Sequence, residues 1–309
     1  VIRVAKYIDW LKQGMVVTNR HAKTLRDDGV LLMLDGQFGY GQVIGIDAMK
    51  AGMAKAKKHG LALVALRNTG HLGRIGAWAE MAAAEGLVSM HFVNTSGFGM
   101  LVAPHGGSDR RLSANPIAAG VPVKGAQPII LDMSTCIIAE GKIQVARNKK
   151  EKLPEGAVLD GRGKPTREPD EFYASPPGAI LPIAGHKGSG LSIICEVLAG
   201  ALTGGGSTHP ENPTAKRLVN NMLSILIDAD NVAGATAFAA DIARLKDWVK
   251  ASPPIAAGGE VLVPGEVERR VRAEREKNGV PLDAATREQI AKAAADVGLA
   301  KAAIEAALN

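Results

Sequence analysis

Aromatic residues make up only 4% of the 309-residue chain, cysteines number two, and no apolar run approaches the length of a membrane span. Runs such as Leu61 to Leu66 and Leu223 to Ile227 are strand-sized, far short of the roughly 20 residues that a spanning helix needs. Scarce aromatics argue against a binding module built on stacking platforms. The net charge is +6, yet lysines and arginines are spread along the chain beside acids, as in Glu266 to Lys277, so no basic stripe offers itself to nucleic acid. A small anionic ligand fits that excess better. Cys136 and Cys195 lie in apolar surroundings, the habit of reduced thiols, so no structural disulfide is expected and a cytoplasmic location is. Val1 to Leu11 alternates charged and apolar residues, without the apolar core or cleavage site of a signal peptide. The chain opens without Met, so residues are expected to precede Val1 in the natural gene product.

Other chemistries lack their spacing. No two histidines stand three or four apart and the cysteines are isolated, so zinc-type ligation is not expected. His209 and Glu211 share a segment with Pro210 and Pro213 that reads as a solvated turn. Neither a G-x-S-x-G elbow nor Walker spacing occurs.

What is present is 46% hydrophobic, 22% charged and rich in glycine, enough for a large core in an α/β protein of one large domain or two ordinary ones. Val1 to Gln13 reads as an amphipathic helix, Val30 to Leu34 as a strand, Gln42 to His59 as a helix ended by Gly60, Leu61 to Leu66 as a buried strand, Arg74 to Glu85 as a helix and Leu87 to Val93 as a strand. Asn94 to Ser113 is loop-like. Ile129 to Asp132 reads as a strand and Ala139 to Lys149 as a helix. Lys150 to Pro177, with five prolines among charges, reads as a long solvated connection. Gly188 to Leu202 is a strongly apolar helix, Leu223 to Asp228 a strand, and Glu266 to Leu308 is helical in period.

Three Gly-framed segments invite a functional reading. Gly39-Tyr40-Gly41-Gln42-Val43-Ile44-Gly45 approaches a dinucleotide-binding turn without matching it, and a Gly-rich packing turn is the stronger alternative. His71, in Gly70-His71-Leu72-Gly73 at a strand end, has the most site-like setting of the seven histidines and suits general acid/base work; capping of the next helix is the bland alternative. In Gly185-His186-Lys187-Gly188, Lys187 would meet a phosphate or carboxylate at a helix N-terminus.

Taken together, eight segments resemble, in order, the non-Rossmann malate/L-lactate dehydrogenase family, which includes sulfolactate, ureidoglycolate and diketogulonate dehydrogenases. They are Gly70-His71-Leu72-Gly73, Asn94-Thr95-Ser96, Asn115-Pro116, Leu131-Asp132-Met133-Ser134-Thr135, Gly141-Lys142, Pro165-Thr166, Gly185-His186-Lys187-Gly188 and Pro264-Gly265-Glu266. Gly73-Arg74-Ile75-Gly76, Trp248 to Pro253 and Gly279 to Ala284 carry a closer likeness to the hydroxycarboxylate dehydrogenase B branch.

The resemblance implies an α/β fold with a largely antiparallel or mixed sheet flanked by helices. It implies one catalytic unit over residues 1–309, with a sheet-rich core over about 30–235 and a helical part over 236–309. The implied activity is NAD- or NADP-dependent interconversion of a small 2-hydroxycarboxylate and its 2-oxo acid by a cytoplasmic homodimer, without nucleic acid, membrane or metal. Reduction of a cyclic imino acid of the Δ1-piperideine-2-carboxylate type is the alternative within the family, and a non-catalytic anion-binding protein the alternative outside it. By resemblance His71 is the proton acceptor and donor, Asp132 supports it and contacts cofactor, Arg3 grips the substrate carboxylate, and Thr95, Met133, Ser134, Lys187, Gly265 and Glu266 position the cofactor. The Gly39 to Gly45 turn then has no cofactor role. Two departures stand out. The family's Ser-His-Gly, which falls just before Val1, is absent, so its N-terminal helices are expected to be missing. Ser113-Ala114 precedes Asn115 where Gly-Thr is usual.

Overall fold

The structure, a computed structural model, describes residues 3–214 and 216–308. Its centre is a seven-stranded sheet in the order β1-β2-β3-β10-β4-β5-β6, where β1 is Lys23–Asp28, β2 Leu31–Asp35, β3 Leu61–Thr69, β4 Leu87–Gly97, β5 Ile117–Val121, β6 Ile129–Met133 and β10 Leu218–Asp228. Every pairing is antiparallel except β2 with β3. Helix α2, Gly41–His59, is the crossover that makes that one parallel pair possible. This strand-helix-strand unit is why the first third of the sequence imitates a dinucleotide-binding fold.

The first helix, α1, spans Val4–Lys12; the expected start at Val1 lies outside the described residues. Helix α3, Gly76–Ala84, packs with α2 on one face of the sheet, where Ile44, Met49, Leu66, Trp78, Leu87 and Met222 are buried in one core. The approach of the two helices depends on glycine. A Cβ on Gly45 would stand 2.5 Å from the Trp78 ring, and one on Gly52 would stand 2.6 Å from Val64. These glycines of α2 are therefore packing positions.

Two expectations change. Lys150 to Pro177 is not a solvated connection: it carries β7 (Val158–Leu159), β8 (Pro165–Thr166) and α5 (Pro169–Phe172), and β7 pairs with both β8 and β9 (Ala179–Ile180). Leu153, Val158, Phe172 and Ile180 form a second core with Ile143 of helix α4, Glu140–Lys149. These apolar residues are too widely spaced among prolines and charges to register as a periodic element. Likewise Asn94 to Gly97 continues β4 instead of opening a loop. Its polar side chains can be buried because they are hydrogen-bonded: Asn94 Nδ2 donates to Glu196 Oε2 at 2.9 Å, and Ser96 and Thr214 share a hydroxyl bond of 3.1 Å.

The expected apolar helix is α6, His186–Cys195, followed by a π-helical turn over Glu196–Ala201. Leu191, Ile194, Val197 and Leu202 on it are exposed. The C-terminal part is helical: α7 Ala235–Lys250, α8 Glu266–Asn278, α9 Ala284–Asp296 and α10 Lys301–Leu308. No described helix is long and apolar enough to cross a membrane.

If close approach of α2 and α3 sets the core, Gly45→Ala destabilises the fold by about 1 to 3 kcal/mol, the usual range for overpacking. Urea unfolding followed by far-UV circular dichroism reads this out, and an unchanged midpoint would show that Trp78 simply moves aside.

Candidate active site

His71 sits on the loop leaving β3, and three independent contacts fix that loop. Gly70 N donates to Gly39 O at 2.8 Å, and Leu72 N donates to Asn220 Oδ1 at 2.8 Å. Gly41, the first residue of α2, lies so close that a Cβ there would stand 2.4 Å from His71 O. The Gly39 to Gly45 turn thus holds the histidine loop by backbone contact, which is the packing role weighed for it.

The imidazole faces α1. Its Nδ1 lies 2.8 Å from the Tyr7 hydroxyl, whose oxygen also accepts from Gln42 Nε2 at 2.7 Å. Because the Gln42 amide nitrogen donates to the Tyr7 oxygen here, the Tyr7 hydrogen is free to point at Nδ1 or away from it, so either tautomer of His71 is satisfied. Burial pushes the His71 pKa down to about 3; the nearby Arg3 and Lys6 cations add to this, while Glu140 opposes it. The resting ring is neutral at physiological pH.

Arg3, Lys6, Tyr7, His71, Asp132 and Glu140 all line one open cavity of about 880 Å³ between α1, β4, β6 and the N-terminus of α4. Glu140 is 8% exposed, and its carboxylate accepts from Lys6 Nζ at 2.7 Å, Tyr173 Oη at 3.0 Å and an Arg3 guanidinium nitrogen at 3.3 Å. Burial alone would push its pKa up, but the two cations and the hydroxyl outweigh burial and hold it below the usual carboxylate range.

Asp132, near the end of β6, faces the N-terminus of α3, where the Gly76 N–H bonds it and Arg74 stands 3.6 Å away. A Cβ on Gly76 would fall 2.6 Å from Asp132 Oδ2, so glycine is what lets the carboxylate approach the helix end. Burial raises the Asp132 pKa against these two partners.

Thr95, Met133 and Ser134 line the same cavity. The Thr95 hydroxyl accepts from Asn220 Nδ2 at 2.7 Å, and Ser134 Oγ donates to Ala114 O at 2.9 Å. Three expected residues lie elsewhere. Lys187 is exposed near the start of α6 and does not line the cavity. Gly265 caps α8 with φ +93° and packs on Ile130 of β6, while Glu266 pairs with Lys250 at 2.8 Å. Both stand beside a second cavity, which shares Arg74 with the first and is lined also by Ile130, Lys124, Lys142, Arg269 and Arg272.

Sequence reasoning missed Tyr7, Gln42, Glu140 and Asn220. The last had a visible signal: Asn220 and Asn221 interrupt an otherwise apolar strand, and both are buried. Glu140 also had one, an acid at the first turn of a helix whose other buried residues are apolar.

The sequence profile of the malate/L-lactate dehydrogenase family matches residues 1–291. Hydroxycarboxylate dehydrogenase B of Escherichia coli (strain K12) is 41% identical over 304 residues, covering 98% of this chain and 84% of that protein. A solved Escherichia coli structure of the malate/lactate dehydrogenase type superposes with a TM-score of 0.92 at 41% identity, over 99% of this chain and 85% of that one. Sulfolactate dehydrogenase from Methanocaldococcus jannaschii superposes with a TM-score of 0.82 at 33% identity, over 97% and 86%. The seven-stranded, largely antiparallel sheet is thus the fold of these enzymes, and the chain belongs to the malate/L-lactate dehydrogenase family of oxidoreductases.

Proposed function

We propose that the protein interconverts a small 2-hydroxycarboxylate and its 2-oxo acid with NAD or NADP. One observation carries this reading: a neutral, half-buried histidine on a Tyr7 hydrogen bond lines the same cavity as an arginine with guanidinium N–H groups to spare. Oxidation of a secondary alcohol needs a base at the hydroxyl and an anchor for the carboxylate beside it. Arg3 supplies the anchor, because only one of its nitrogens bonds Glu140 among the described contacts and its planar fork suits a carboxylate. His71 supplies the base when Nδ1–H donates to Tyr7 and leaves Nε2 free for the substrate proton. In the reverse direction the same nitrogen returns the proton.

The cavity fits a nicotinamide at its reacting end. Val93, Pro116 and Leu218 give an apolar wall for the ring and Thr95, Asp132 and Ser134 give polar groups, a lining typical of cofactor sites. Arg74, Lys142 and Arg269 of the adjoining cavity offer cations to phosphates, next to the Gly265-Glu266 turn. When bound, the cofactor accepts or returns the hydride. Asp132 accepts from the Gly76 N–H at the start of α3 and stands 3.6 Å from Arg74. The exposed apolar side chains of α6 support a homodimer, and the two free, buried cysteines suit a cytoplasmic setting.

A direct test follows loss of reduced-nicotinamide absorbance with 2-oxo acids and either cofactor; no turnover with any would remove the dehydrogenase reading. His71→Ala should lower kcat by ~100-fold or more while keeping its circular dichroism spectrum. Retention of the rate within a few-fold would take the proton-transfer role away from His71.

The pH dependence carries a sign. In the free protein Arg3 and Lys6 help to depress the His71 pKa. A bound carboxylate neutralises that field and raises it, so in alcohol oxidation the acid limb of kcat lies at higher pH than that of kcat/KM. Coincident limbs would contradict this coupling.

Asn220→Ala leaves Leu72 N–H and the Thr95 hydroxyl without their partner. We expect a stability loss of about 1 to 3 kcal/mol, together with a fall in kcat. Loss of stability with full kcat would mean that the histidine loop holds its place without the amide.

A further inference from the structure

Glu140 has no part in the proton transfer just proposed, yet it projects into the cavity where Arg3 receives the substrate. A carboxylate at 8% exposure beside an anion-binding arginine requires a reason. Its contacts provide one. Lys6 is bound to Oε1 at 2.7 Å and shares that oxygen with Tyr173, while Arg3 gives Oε2 one N–H at 3.3 Å. Arg110, the next cation on the cavity wall, has Nε on Gly178 O at 2.6 Å, another nitrogen on Phe172 O at 3.0 Å, and its face on the Phe172 ring. Of the three cations at this end, two are thereby committed to protein acceptors, and one, Arg3, keeps a fork for an incoming carboxylate.

Resting on the 2-hydroxyacid reading, we propose that Glu140 is a specificity-determining residue that restricts the cavity to substrates with a single anionic group, by occupying Lys6 and opposing a second negative charge. A substrate with one carboxylate lies on Arg3 with an uncharged tail near the Glu140-Lys6 pair. A dianion would have to place its second charge against the Glu140 carboxylate. Glu140 is held charged because both cations favour its ionised form over the opposing effect of burial. The position at the first turn of α4 gives the carboxylate a helix N-terminus as well, so it does not depend on a ligand for stability.

The test compares ligands of equal shape and different charge on the full-length protein. Calorimetric titration with succinamate and succinate measures binding without turnover; 2-oxosuccinamate and oxaloacetate measure kcat/KM. The native protein should favour the monoanion in both pairs. Glu140→Gln should shift each ratio toward the dianion by about tenfold or more, the effect of one nearby charge at an intermediate effective dielectric. Lys6→Gln should shift it the other way, whereas mere loosening of α1 would move both variants alike. A native preference for succinate, a ratio that Glu140→Gln leaves in place, shifts of the same sign in both variants, or binding of neither ligand would each overturn the proposal. Absence of turnover with the expected binding ratios would instead overturn the dehydrogenase reading and leave the charge selection standing.

Discussion

The side-chain amide of Asn220 ties the loop that carries His71 to the sheet. It sits at 3% exposure on β10, the central strand, and a buried amide must have partners or it destabilises the fold by kilocalories. Its oxygen accepts from Leu72 N, and its nitrogen donates to Thr95 Oγ1 and Asn94 O. Those partners belong to the loop after β3 and the end of β4, the strands that flank β10 on either side. The satisfaction of one amide therefore sets the distance between His71 and the cavity wall that carries Thr95. Strand pairing alone would not do this, because the loop leaves the ladder at Thr69. Gly41 closes the same loop from the other side, where only a residue without a Cβ permits the backbones to meet.

The elements legible in the sequence were those with one dominant signal. Continuous apolar runs marked β3 and the second half of β10, and the three-and-four spacing of Gln42 to His59, ended by Gly60, marked α2 nearly to the residue. Where burial is polar, periodicity fails. Asn94 to Ser96 and Asn220-Asn221 lie inside the sheet, but hydrogen bonds among them, Glu196 and Thr214 replace apolar contact. The second core was hidden for a different reason. Phe172 is fully buried, yet it is held by the Arg110 guanidinium on its ring and by short, proline-framed segments that look like linker when read locally. In the candidate site, Gly-framed His71 was recognisable because the glycines are local to it. Tyr7 and Glu140 are tens of residues from the groups they serve, and no spacing rule connects a residue to a partner brought to it by tertiary packing.

The electrostatic design of the cavity follows from the same packing. A histidine that exchanges a substrate proton must be neutral when an alcohol arrives and must accept charge only once it has a proton to take. Burial and two cations secure the first condition, since each disfavours the imidazolium. On the proposed reading the second is met by the substrate itself, whose carboxylate would cancel part of the field from Arg3. Without Glu140, Lys6 would add a second uncompensated cation, and a monocarboxylate would neutralise only part of the field. With it, Lys6 is paired and Arg3 keeps an open N–H fork, so on the proposed reading a single carboxylate on Arg3 raises the basicity of His71. If both proposals hold, charge selection and base activation are one electrostatic arrangement: a ligand with the wrong charge is disfavoured at the wall, and a ligand with the right one switches on the base it requires.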